Sequence, residues 1–468
     1  MLTIVTTVAP QCASSMTSKE ADGGADAARL MGTIMSQRAI LLPPKCPGHG
    51  AEANLGRTFE RIGPSGLFRR FLQVKPHSES SKPRDMHQTL LLFLVIGTAL
   101  AFDFTNGFHD TANAMATSIA TKALKPKTAV TLSAILNLAG AFLSLSVAAT
   151  IAKGIVDQDL VTLPVIFAGL AGAIIWNVTT WYLGIPSSSS HALIGGVVGA
   201  MIVHAGTNAI VWNGMVSKVF LPALIAPVVA GSVAGLAVLL ASKITASVPE
   251  GPKRRSFRIA QIGSASMVSL AHGTNDAQKT MGIITLALVA NKSLAVDGAT
   301  PTWIILACGS AIALGTYLGG WRIIRTMGKG ITALESPQGF AAETASASVI
   351  LASTHFGFPL STTQVCSGSI VGVGVGEGTG VRWRVFGRMC AAWAVTLPVA
   401  LIIGGAAFAL EIGIGGSLGV VTLTATLVAV CTWIFVRSRR APITPDNVND
   451  DWDLVPVASE PVPVTQVA

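Results

Sequence analysis

Asn106-Gly107-Phe108-His109-Asp110-Thr111-Ala112-Asn113 and His272-Gly273-Thr274-Asn275-Asp276-Ala277-Gln278-Lys279 are variants of one phrase set about half a chain apart. Each places a glycine, and three residues later an aspartate, inside a long apolar run. A carboxylate in such a run is costly to bury, so the default reading is a functional one. A single acid could be structural, satisfied by backbone or by Lys279, but its recurrence in both halves argues against that. Gly107 and Gly273 would let the helix unwind and free backbone carbonyls, which oxygen-seeking cations use as ligands. Asp110, Asp276, Asn113 and Asn275 add side-chain oxygens, and Asp103, seven residues before Asp110, shares its helical face.

The turns Pro186-Ser187-Ser188-Ser189-Ser190-His191 and Pro359-Leu360-Ser361-Thr362-Thr363-Gln364 each follow an apolar segment and open a glycine-rich one. Ser and Thr are N-cap residues, and a preceding Pro helps to end the helix before it. A helix N-terminus offers free N–H groups and a partial positive charge, and so binds anions. Two such ends facing each other would cradle a tetrahedral oxyanion through Ser187, Ser188, Ser189, Ser190, Ser361, Thr362 and Thr363. Taken alone these turns are helix caps; beside the paired Asp motifs they become an anion site. A cation site touching an anion site would offset its charge, which gives coupled symport a physical basis. His109 and His191 read as hydrogen-bonded polar lining ahead of proton carriers.

The elements that position these groups are membrane spans. The 468 residues are 51% hydrophobic and only 12% charged, about half the ~25% charge of soluble domains. Long runs such as 128–151 and 219–241 carry almost no charge and approach the ~20 residues that cross a bilayer. Six cysteines lack paired spacing, and four lie in apolar segments, so no disulfide, metal or cofactor framework is expected. The net charge of +9 sits in loops between spans, as in membrane orientation, and implies no nucleic acid. Gly372-Val373-Gly374-Val375-Gly376 is small-residue helix packing, since it lacks the strand and Lys of a nucleotide loop.

The expected organisation is all-α: a disordered extension over 1–86, a first transmembrane repeat over 87–241 and a basic cytoplasmic loop over 242–258. A second repeat with a final span follows over 259–436, then a disordered tail over 437–468. Met86, just before the first span, raises the expectation that the true start lies there. The spans are 88–121, 128–151, 162–184, 187–206 and 215–241, answered by 259–290, 302–321, 338–357, 360–377 and 388–411, with 416–436 unmatched. Five segments separate each span from its counterpart, so the second repeat is inverted relative to the first. The pairs 162–184/187–206 and 338–357/360–377 are each read either as two full spans or as one re-entrant hairpin. As hairpins their tips would meet near the midplane. Lys122, Lys125 and Lys127, loop 242–258, Arg322, Arg325 and Lys329, Arg382, Arg384 and Arg388, and Arg437, Arg439 and Arg440 all fall on one side. By the positive-inside rule that side is the cytoplasm.

With both Asp motifs, both hydroxyl turns and the stretch Gln338-Gly339-Phe340-Ala341-Ala342-Glu343, the chain resembles the inorganic phosphate transporter (PiT) family over about 88–436. That resemblance implies an inverted-repeat symporter of the cell membrane carrying inorganic phosphate with H⁺ or Na⁺. It implies Asp110, Asn113, Asn275 and Asp276 at the ion sites, and Ser187–Ser190 with Ser361–Thr363 at the anion. Glu343 matches an acidic family position, and Asn137 stands at the expected first-half equivalent. His109 replaces the family's usual Asn, and Gln364 stands where a His often follows. Gly-Phe-His-Asp-Thr-Ala-Asn-Ala resembles the bacterial low-affinity branch, associated with H⁺-coupled uptake of neutral divalent-metal–phosphate complexes. The missing first-half acid then favours H⁺ over Na⁺. A symporter of another oxyanion, such as sulfate, is the alternative. No nucleophile–base pair supports an enzyme, and homo-oligomers stay open.

Overall fold

The computed structural model describes residues 86–295 and 298–450. The expected disorder of residues 1–85 and 451–468 lies outside the described residues. Thirteen α-helices make up the described chain, with one isolated bridge, Val156 to Ile210, and no strand among the described residues. The first half holds α1 (Met86–Ala120), α2 (Pro126–Gly140), α3 (Ser146–Gly154), α4 (Leu163–Leu183), α5 (Ser189–Ala205) and α6 (Trp212–Ile244). The second holds α7 (Glu250–Ala290), α8 (Thr302–Leu318), α9 (Trp321–Lys329), α10 (Ser336–His355), α11 (Thr362–Gly376) and α12 (Trp383–Ile414); α13 (Gly416–Ser438) has no counterpart.

Packing repeats between the halves. α1 and α7 touch at the centre; α1 also packs on α4, α8 and α9, and α7 on α10, α2 and α3. α5 lies against α4 and α12, whereas α11 lies against α10 and α6, so each half's outer helix covers the other half's hairpin. Local signals agree: Pro164 and Pro337 sit in the first turns of α4 and α10, where a missing N–H costs nothing. Pro227 and Pro398 fall inside α6 and α12.

Both halves break the segment after the central helix. α2 and α3 are separated by residues 141–145, and Gln278 Oε1 accepts from the Val147 and Ala148 N–H groups at the start of α3. α8 and α9 meet at 69° across Gly319-Gly320, with Gly319 at φ +74°. The unwinding expected at Gly107 and Gly273 is not there; α1 and α7 run helically through both. Those glycines serve close approach instead. A Cβ on Gly107 would lie 2.3 Å from the Ile312 carbonyl, and one on Gly273 2.2 Å from that of Asn137.

Among the described residues, five helices are long and apolar enough to cross a membrane, six if the bent α8–α9 pair is one span. Leu224, Leu236 and Leu240 on α6, and Leu418, Val421 and Trp433 on α13, are exposed, a surface that suits hydrocarbon. The chain is a multi-pass membrane protein. Residues 250–258, expected within a basic loop, are instead the first turns of α7, and Lys122, Lys253 and Arg254 line one polar cavity of about 720 Å³ with Glu335, Gln338 and Glu377. Arg258 donates to the Ala123 carbonyl, and Arg382 to that of Lys329.

The tail expected to be disordered from 437 is structured as far as 450. α13 continues to Ser438, Arg322 donates to the Ser438 and Ala441 carbonyls, and Lys329 to that of Asn449. Val448 is buried and Asn449 Nδ2 reaches the Ile119 carbonyl. Basic side chains seeking acceptors at the helix ends explain this order.

Candidate functional site

The two hydroxyl turns are built alike. α4 ends at Gly184 and α10 just before Gly357, both left-handed (φ +67° and +71°), and a proline follows two residues later in each. Ser188 and Ser361 then cap α5 and α11, accepting from the His191 and Gln364 N–H groups at 3.2 and 3.3 Å. The hairpin tips meet directly, since Ser190 Oγ donates to the Leu360 carbonyl at 3.0 Å.

The Asp motifs arrive from α1 and α7 onto these tips. Ser189 Oγ donates to Asp110 Oδ2 at 2.6 Å, and Thr363 Oγ1 to Asp110 Oδ1 at 3.4 Å. Thr362 Oγ1 stands between the acids, 3.5 Å from Asp110 Oδ2 and 3.2 Å from Asp276 Oδ2. One oxygen of each carboxylate and one His272 ring nitrogen lie within 4.8 Å of one another. Asn113 Nδ2 donates to Thr362 and Thr363 at 3.1 and 3.0 Å. Asp110, Asp276 and both turns are almost wholly buried.

Each acid has basic company. His109 Nδ1 is 2.6 Å from Asp110 Oδ1, and its Nε2 lies 3.2 Å from both Thr180 and Ser187 hydroxyls. His109 is thus hydrogen-bonded as expected, but His191 instead lines a largely apolar cavity of about 1160 Å³ between α6, α11 and α12. His272 Nε2 lies 3.2 Å from Asp276 Oδ2, and its Nδ1 lies 3.1 Å from Asn137 Oδ1. Lys279 pairs with Asp276 Oδ1 and also donates to Ser190 Oγ and the Leu360 carbonyl. Lys279 was expected only as a counter-ion satisfying an acid, and the role of His272 went unread, although its i,i+4 spacing to Asp276 signals it.

Several buried oxygens of this core have no hydrogen-bond donor among the described residues: Asn113 Oδ1, Asn275 Oδ1, Asn106 Oδ1 and both carboxylate oxygens of Asp103. Orphaned acceptors of this kind are expensive unless something positive reaches them. Asp103 is fully buried, with Thr280 and Asn106 beside it. Asn275 points its amide at Thr354 Oγ1 (2.8 Å) and the Phe358 carbonyl (3.2 Å), tying down the second hairpin.

Glu343 stands apart, one carboxylate oxygen taking Ser118 Oγ at 2.7 Å and Thr117 Oγ1, the other Ser264 Oγ at 2.6 Å. Gln261 Nε2 reaches it at 3.4 Å, and Thr121, which lines the polar cavity, donates to Gln261. Asn137 is not its first-half counterpart. Asn137 lies on α2 and Glu343 on α10, and counting from the matched Pro164 and Pro337 puts Leu170 opposite Glu343. Asn137 instead orients His272 and donates to Thr316 Oγ1 at 2.8 Å.

An all-helical membrane protein that buries two acids under two hydroxyl-bearing helix starts has the architecture of a solute carrier. The model of the phosphate transporter family matches residues 106–253 and 245–404, and the chain belongs to that family, one of transporters. A "probable low-affinity inorganic phosphate transporter" of Mycobacterium bovis is 58% identical over 368 residues, covering 78% of this chain and 88% of that protein. One of Bacillus subtilis with the same description is 43% identical over 322 residues, covering 68% and 96%. The fold is similar to a solved structure titled "The sodium-dependent phosphate transporter" (TM-score 0.61, 22% identity, 68% of this chain and 98% of that one).

Proposed function

We propose that this phosphate transporter is a secondary active symporter. In this reading, cation binding at the paired acids releases the hydroxyls that then hold phosphate. The observation that carries the reading is the direction of those hydroxyls. Ser189, Thr362 and Thr363 are spent on Asp110 and Asp276, and none is left pointing into open space. A cation settling among Asp110, Asp276, Asn113 and the orphaned amide oxygens competes for the same lone pairs. The hydroxyls, with the first N–H groups of α5 and α11, then turn to the anion. Anion without cation would meet the Asp110 carboxylate, which has no ammonium paired with it, and be repelled; cation without anion would leave the hydroxyls unpaired. Each solute therefore strengthens the other's binding, by the same factor in both directions.

Asp103 and Glu343 extend the path for the positive partner, Asp103 above the paired acids and Glu343 toward the polar cavity on the basic face, taken as cytoplasmic. H⁺ is favoured over Na⁺. His109 is bonded at both ring nitrogens and joins Asp110 to Ser187 and Thr180, which suits proton relay. A neutral divalent-metal–phosphate complex fits the same charge logic. Alternating access follows from burial: solute leaves only when the Ser190–Leu360 contact parts to one side.

The test is uptake of labelled phosphate into proteoliposomes under an imposed pH or Na⁺ gradient, with and without Mg²⁺. Accumulation driven by the pH gradient is expected, competed by arsenate and not by sulfate. No accumulation under either gradient would refute the reading, and preferential competition by sulfate would reassign the anion.

A further inference from the structure

The two halves place different groups at one matched position. Three residues after Asp110 stands Asn113, and three residues after Asp276 stands Lys279. Each reaches across to the hairpin of the other half, and to corresponding hydroxyls on it. Asn113 Nδ2 donates to Thr363 Oγ1 at 3.0 Å, the third residue of its hydroxyl turn counted from the capping Ser361. Lys279 Nζ donates to Ser190 Oγ at 2.6 Å, the third counted from the capping Ser188.

The three N–H donors of Lys279 meet one carboxylate oxygen of Asp276, one hydroxyl oxygen of Ser190 and one carbonyl oxygen of Leu360. A carboxylate, a hydroxyl and a backbone carbonyl converging on one buried point is the oxygen set that an alkali cation takes as ligands. Lys279 is 1% exposed, and its ammonium fills that point. On the Asp110 side, among the described residues, Asn113 stands at the place equivalent to that of the ammonium, and its Oδ1 has no donor.

We infer that Lys279 is a tethered cation occupying the second-half cation seat, so that this carrier needs one monovalent cation fewer per cycle than its duplicated architecture provides for. The inference rests on the symport reading above. Asp110 recruits its positive partner from solution, whereas Asp276 keeps a permanent one.

The experiment replaces Lys279 by the residue that the first half uses, K279N, in the full chain purified in detergent and reconstituted. Two quantities are read: labelled phosphate uptake against Na⁺ or Li⁺ concentration, and the unfolding temperature of the purified protein against the same salts with choline as control. K279N is expected to lose uptake in choline, to regain at least about tenfold with Na⁺ or Li⁺, and to show a Hill slope about one higher than wild type. Its unfolding temperature should rise with Na⁺ by several degrees more than that of wild type. K279N protein that survives purification only with Na⁺ or Li⁺ present would support the same conclusion. Wild-type cation dependence in K279N, or instability that neither ion rescues, overturns the inference. Wild type that accumulates no phosphate under any gradient defeats the symport reading instead, and the unfolding comparison then still reports on Lys279.

Discussion

Asp110 and Asp276 occupy matching turns of α1 and α7, yet their surroundings differ in charge. Asp110 is held by His109 and by hydroxyls from both hairpins; Asp276 is held by His272 and the ammonium of Lys279. The same divergence recurs farther out, where Leu170 in one hairpin stands at the position that Glu343 holds in the other. The two halves share their pattern of helix packing, and their side chains differ in charge at matched positions. A pair of equal half-sites would bind two equal solutes; unequal ones can bind a cation and an anion in order.

The largest contrast should come from the acids themselves. D276N leaves Lys279 buried without its counter-ion, at a cost of about 3–5 kcal/mol. D110N loses charge-assisted hydrogen bonds, costing about 1.5–3 kcal/mol. Both should abolish phosphate uptake, with D276N unfolding at the lower temperature in a detergent melt. The reverse order would break the asymmetry proposed here.

Gly107→Ala and Gly273→Ala probe what the halves still share. Each forces a helix off a backbone carbonyl that cannot swing aside, which costs about 1–3 kcal/mol. Closely similar losses of thermal stability are expected from the two. A clear difference would mean that the central crossings are no longer equivalent.

A smaller effect separates the matched hydroxyls. S190A removes a partner of an ammonium, about 1.5–3 kcal/mol, and T363A a partner of an amide and, at 3.4 Å, of Asp110, about 0.5–1.5 kcal/mol. Melting temperatures of the two variants should fall in that order. E343Q turns a buried acceptor of the Thr117, Ser118 and Ser264 hydroxyls into an amide that must make one hydroxyl reverse, at a cost of about 0.5–1.5 kcal/mol, and should lower apparent cation affinity in uptake assays.

Much of this was legible in the chain. Segment 88–121 became Met86–Ala120, 162–184 became Leu163–Leu183, and both hydroxyl turns fell at helix starts, because apolar length, proline and N-cap chemistry are local signals. That Asp110 and Asp276 meet followed from repetition, which reports distant contact through symmetry. What failed depended on partners from far away in sequence. Gly107 and Gly273 read as weak points because a lone glycine destabilises a helix, whereas each is occupied by a crossing backbone. Asn137 read as a stand-in for Glu343 because sequence places it near an acidic family position, but α2 carries it to His272. Lys279 read as a bland neighbour because its other two partners, Ser190 and Leu360, belong to opposite halves.

The segment past α13 has a practical corollary for anyone handling the protein. Residues 439–450 act as a clasp, with Arg322 and Lys329 gripping its carbonyls and Asn449 hooked to the last turns of α1, the helix that bears Asp110. Cutting or fusing at 440 would unfasten that helix from below, so purification handles belong after residue 450.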